Sequence, residues 1–126
     1  MTTNRIISIL IAIMGLIHIG ATFSPLIGGK LASLDSGTYN AMIYMSLMCG
    51  LLLVLSGSYL WWAVGKVTEH PVLRPTIVIA ASALLIDGIL AVAFMPHNIF
   101  AWTIGVLCLA TFTLNIKYIK NKQPLC

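Results

Sequence analysis

Two ionisable residues stand inside long apolar runs, and they are where chemistry could occur. Asp87 interrupts Leu84-Leu85-Ile86-Asp87-Gly88-Ile89-Leu90, within a run from Thr76 to Met95; His18 lies near the end of another, from Ile6 to Phe23. A carboxylate in hydrocarbon is costly, so it is neutral, paired or turned toward a wet cavity. An imidazole and a carboxyl held together there exchange a proton near physiological pH, bind a cationic or polar ligand, or orient a substrate. The plainer alternative is a polar staple, one hydrogen bond between two helices contributing about 0.6–2 kcal/mol. Both residues lie the same distance along the chain from a basic residue, Arg5 and Arg74 respectively. They are therefore expected at similar depth, within about one helical turn, in the outer half of a membrane and within reach of each other. Thr22, Ser46 and Tyr44 are secondary candidates for the lining of such a site.

The elements that must position these residues follow from composition. The chain has 126 residues, of which 60% are hydrophobic and only 8% charged, with a mean hydropathy of +1.01. A soluble globule carries roughly 25% charged residues, so lipid must solvate most of this surface. The net charge of +4 does not indicate nucleic acid. The basic residues flank apolar runs, where they meet anionic headgroups and control topology, and no nucleic-acid motif is present.

Four apolar runs are expected to form helices over 6–23, 41–64, 76–95 and 99–116, in a single domain covering 1–126. The first has the outline of a secretory signal, but His18 interrupts the end of its apolar segment, and it is read as a retained transmembrane helix. Residues 24–40 form the longest connection. Leu26, Ile27, Leu31 and Leu34 have rough helical spacing there, suiting an interfacial segment or a cap on the bundle. Tyr39, Tyr44, Trp61 and Trp62 mark the two ends of the second run as an interfacial belt. Pro75 suits the first turn of the third helix, and Pro96-His97-Asn98 is a tight turn. The fold class is therefore all-α, a polytopic membrane protein built as a four-transmembrane-helix up-down bundle. Arg5, Lys66, Arg74, Lys117, Lys120 and Lys122 fall on one side and only Lys30 on the other. By the positive-inside rule both termini are cytoplasmic.

Helices in lipid associate through small and polar residues. The corresponding stripes are Ser8, Gly15, His18 and Thr22 on the first helix; Ser46, Cys49, Gly50 and Gly57 on the second; Ala80, Ala83, Asp87 and Ala91 on the third; Ala101, Gly105, Cys108 and Asn115 on the fourth. His18 and Asp87 thus both fall on the faces expected to meet inside the bundle.

Other chemistry is poorly supported. Cys49 and Cys108 read as small apolar core residues, and Cys126 does not fit a prenylation motif. No Cys/His spacing suits a metal, and no protease, hydrolase, P-loop or dinucleotide fingerprint occurs. His18 and His97 should differ in depth by roughly 10 Å, which disfavours haem, and the sequence identifies no other cofactor. His70 and His97 read as solvated turn residues. Met45 and Met48 suit either a hydrophobic pocket or ordinary packing.

Gly15-Leu16-Ile17-His18, Ala93-Phe94-Met95-Pro96 and Phe100-Ala101-Trp102 resemble an uncharacterised family of small bacterial four-helix integral membrane proteins. Its first helix carries Gly-x-x-His and its third ends in Met-Pro. The resemblance covers nearly the whole chain and implies a four-helix fold in the bacterial inner (plasma) membrane, with no activity attached. Small multidrug exporters are similar in size and helix count but depend on a Glu in the first helix, where this chain has His18.

The leading expectation is a protein that binds or transports a small hydrophobic or cationic ligand, or an ion, through an outer-half His18/Asp87 site. Transport would call for a homodimer, because four short helices leave little room for a pathway. The alternatives are a small membrane enzyme acting on a lipid or isoprenoid, with His18 and Asp87 as acid and base, and a structural subunit of a membrane complex.

Overall fold

The computed structural model describes residues 2–25, 29 and 33–120. Four long helices carry most of them: α1 (Thr2–Thr22), α2 (Ser36–Lys66), α3 (Leu73–Phe94) and α4 (Ile99–Asn115). A four-residue α5 (Lys117–Lys120) follows a turn at Ile116. No strand occurs among the described residues. The first three helices are each long and apolar enough to cross a membrane, whereas α4 is shorter at 17 residues. Outward faces are strongly apolar: Leu16, Leu55, Ile79, Ile86 and Val106 are each more than half exposed. So much exposed hydrocarbon would be an aggregation hazard in water, but lipid tails are its natural solvent.

Three helices begin earlier than the apolar runs suggest, α3 by three residues at Leu73 and the first two by more. α1 starts at Thr2 because Asn4, expected in a polar leader, is buried inside the bundle. α2 starts at Ser36 because Asp35 caps it, accepting the Thr38 backbone N–H at 3.0 Å. An Asp at the N-cap satisfies one of the otherwise orphaned amides of the first turn. The connection expected over 24–40 is correspondingly shorter. Its interfacial spacing at Leu26, Ile27 and Leu31 lies outside the described residues. Pro75 falls in the first turn of α3, and Asn98 caps α4 by accepting the Phe100 N–H at 2.9 Å.

α1 packs most intimately on α2, and α3 on α4; lesser seams join α1 to α4 and α2 to α3, leaving α1 and α3 diagonal. Glycine makes the α1–α2 contact. A Cβ on Gly57 would lie 2.7 Å from the Ala12 nitrogen and the Ser8 carbonyl oxygen, and one on Gly15 would lie 2.7 Å from the Gly50 oxygen. The interhelical space is filled by Ile11, Leu53, Leu60, Ile77, Leu84 and Ile104. On α3 the buried residues are Ile77, Ala81, Leu84 and Gly88, with Ala83 exposed. The expected Ala80, Ala83, Asp87 and Ala91 face is thus turned by one residue, about 100°, with Ile77 and Leu84 filling the core. Asp87 consequently sits at the margin of the packed face.

Polar ties set the helices' relative register. Asn4 and Asn115 exchange amide hydrogen bonds, Nδ2 to Oδ1 at 2.7 Å one way and 3.2 Å the other, joining the start of α1 to the end of α4. Asn115 Nδ2 also donates to the Thr111 carbonyl, and Ser8 Oγ to the Asn4 carbonyl. Tyr59 and Thr76 join their hydroxyls between the end of α2 and the start of α3.

Gly57→Ala should destabilise the protein by about 1–3 kcal/mol, because its new methyl meets backbone rather than a movable side chain. Gly20→Ala, which meets nothing within 4 Å, should be neutral or stabilising by up to about 1 kcal/mol. Unfolding in mixed micelles, followed by tryptophan fluorescence, checks both. Asp35 is exposed, and hydrogen bonds from the Thr38 side chain and backbone hold its carboxyl below the ordinary range. The cap is therefore intact above the ordinary carboxylate pKa and is lost as pH falls through the depressed value. The Thr38 amide resonance should titrate with that low midpoint, and Asp35→Ala should abolish the titration.

Candidate functional site

The last turn of α1 closes a circuit of hydroxyls with α2. Thr22 Oγ1 lies 2.9 Å from the His18 carbonyl oxygen, which can only accept, so Thr22 is the donor there. A hydroxyl has one proton. The 2.6 Å contact between Thr22 and Ser46 is then satisfied by Ser46 donating. Ser46 has in turn spent its proton, so its 3.1 Å contact with His18 Nε2 is satisfied by the imidazole donating. One assignment thus fulfils all three contacts: His18 Nε2–H to Ser46, Ser46 to Thr22, and Thr22 back to the His18 carbonyl. The neutral ring is held as its Nε2–H tautomer, with the lone pair on Nδ1. His18 also stacks against Phe100 of α4, with centroids 5.4 Å apart and an interplanar angle of 24°.

Asp87 is held differently. Its carboxylate faces the Cys49 thiol, with Sγ 3.7 Å from Oδ1 and 3.9 Å from Oδ2. A thiol is a weak donor, and no N–H or O–H group among the described residues supplies a stronger one. His18, Cys49 and Cys108 all act electrostatically on the carboxylate or are acted on by it. Nevertheless, the imidazole and carboxylate form no ion pair, since none of their N···O distances is within 4.0 Å. Both side chains are half-buried.

α2 stands between the two. Ser46 and Cys49 are three residues apart and share a helical face, Ser46 turned to α1 and Cys49 to α3. Among the described residues no hydrogen bond joins His18 to Asp87; α1 and α3 lie across the diagonal, and each group meets α2 instead. His18, Thr22 and Ser46 are brought into contact, and Asp87 is placed within electrostatic reach. Tyr44 is not brought in: it is 64% exposed. Two residues from Ser46, it points about 200° around the helix, toward the surroundings. Met45 and Met48 are likewise exposed. His70 and His97 are exposed in turns.

Cys49 and Phe100 were not legible as site residues, since a cysteine and a phenylalanine in apolar runs read as packing. The available signal was the position of Cys49, one turn from Ser46. Among the described residues no three His, Cys, Asp or Glu side chains are gathered closely enough to hold a metal ion. No family model matches the chain, and no curated protein or solved structure matches it either.

Ser46→Ala removes the acceptor of Nε2–H and the donor to Thr22. The expected result is a loss of about 1 kcal/mol of stability and a mixed tautomer population for His18. Imidazole ¹⁵N chemical shifts read the tautomer directly; a ring still locked as Nε2–H in the variant would refute the hydroxyl circuit.

Proposed function

We propose that this is an integral membrane protein that binds a proton or small cation, and transports it or exchanges it for a small cationic ligand, at His18 and Asp87. The supporting observation is the asymmetry of hydrogen bonding at the two groups. His18 has its Nε2 proton occupied by Ser46 and presents Nδ1, while the half-buried Asp87 carboxylate has only a thiol donor. A carboxylate so poorly provided with donors is completed by a proton, a cation or a ligand's N–H. Because carboxylate and imidazole are not closed into an ion pair, neither group is neutralised by the other, and each remains able to take up a proton or cation.

The membrane setting supports this reading. Three helices are long and apolar enough to cross a bilayer, and the polar group lies toward the bundle end opposite Asn4 and Asn115. With basic flanks cytoplasmic, that end faces outward, and the resemblance in the first and third helices suggests a bacterial inner membrane.

Dicyclohexylcarbodiimide, which modifies protonated carboxyls in apolar surroundings, tests the proposal. Asp87 should be labelled in membranes, with the rate falling as pH rises and slowed several-fold by millimolar tetraphenylphosphonium. Asp87→Asn should remove the label. Labelling that persists in Asp87→Asn, or that the cation leaves unchanged at every pH, would overturn the assignment.

A further inference from the structure

A groove of about 420 Å³ runs along the outward side of the α1–α2 seam, on the face of α1 turned away from His18, and is lined by Ile9, Ile13, Leu16, Gly57, Trp61 and Trp62. It exists because Gly57 draws the two backbones together and contributes no side chain of its own. Arg5 stands at its terminal end. Arg5, Ile9, Ile13 and Leu16 recur at spacings of four, four and three, so they form one line along α1. The Arg5 guanidinium lies over the Trp61 ring, its Cζ 5.0 Å from the centroid. Its Nε is buried without an acceptor, and no carboxylate among the described residues pairs with it. A cation–π contact offsets only part of the cost of withdrawing a guanidinium from water. An anion brought within reach of the guanidinium would offset that remaining cost.

We infer that this groove is a binding site for an anionic phospholipid, with the phosphate on Arg5 and an acyl chain along Ile9, Ile13 and Leu16. The geometry fits one leaflet. Arg5 and the two tryptophans mark the interfacial level, where such residues concentrate, and the groove descends from it into the hydrocarbon. From Ile9 to Leu16 it covers roughly 10 Å of helix, enough for the upper part of one chain. Guanidinium suits phosphate better than ammonium does, because its planar N–H groups match two oxygens at once. The apolar walls commit the site to a lipid rather than to a free phosphate, which would leave them unfilled. This inference is independent of the proposed role of His18 and Asp87.

Tryptophan quenching in reconstituted vesicles provides the test. The chain has three tryptophans, so Trp102→Phe leaves only the two in the groove. In that background, phosphatidylglycerol with brominated acyl chains should quench at a several-fold lower mole fraction than brominated phosphatidylcholine. Arg5→Gln should abolish the difference, and inorganic phosphate should not restore fluorescence. Ile13→Phe, which fills the groove at a lipid-facing position, should weaken quenching by the phosphatidylglycerol while circular dichroism remains helical. Equal quenching by the two lipids, a preference that survives Arg5→Gln, displacement by inorganic phosphate, or quenching unaffected by Ile13→Phe would each overturn the inference.

Discussion

The structure depends on how closely α1 and α2 approach. In lipid, no hydrophobic force drives one helix onto another, because hydrocarbon solvates leucine as well as a neighbouring helix does. Association then rests on van der Waals contact, which requires backbones to come near each other. Gly15 and Gly57 provide this contact, each facing backbone atoms of the opposite helix at distances that no Cβ tolerates. With the seam closed, Ser46 lies beside Thr22 and His18, and the hydroxyl circuit follows from geometry already set further down the helices.

The same closeness shapes the outward surface. Where α1 and α2 nearly touch, their side chains splay apart on the far side and leave a groove ending beneath Arg5. One glycine contact therefore underlies both a polar arrangement inside the bundle and an apolar channel outside it. The two ends of the bundle differ accordingly. One is tied by the reciprocal amides of Asn4 and Asn115, whose polar atoms bond largely to each other and to nearby carbonyls. The other holds a histidine and a carboxylate that are not bonded to each other.

Much of the fold was legible because lipid imposes simple rules. Long apolar runs must be helices, since no other element satisfies its own backbone hydrogen bonds in hydrocarbon, and the small-residue stripes on the first, second and fourth helices coincide with buried faces. The face of α3 was misread by one residue, because small residues occur on both sides of that helix and only the packing of Ile77 and Leu84 distinguishes them. The start of α1 was misread because polarity near a terminus usually means solvent. Asn4 instead finds Asn115, over a hundred positions away in the chain.

Sequence alone determined the helical class, the approximate spans and the presence of two ionisable residues in apolar surroundings, because these depend on local composition and on the length of uninterrupted hydrocarbon. Tertiary structure alone decided which neighbours those residues meet. Hydrogen-bond direction is a property of a whole set of contacts: His18 has a fixed tautomer only because Ser46 and Thr22 have already committed their protons. Asp87 has a thiol for a neighbour only because α2, not α1, packs beside α3. Periodicity along one helix carries no information about which helix comes to lie next to it, and the chemistry of this site depends on that choice.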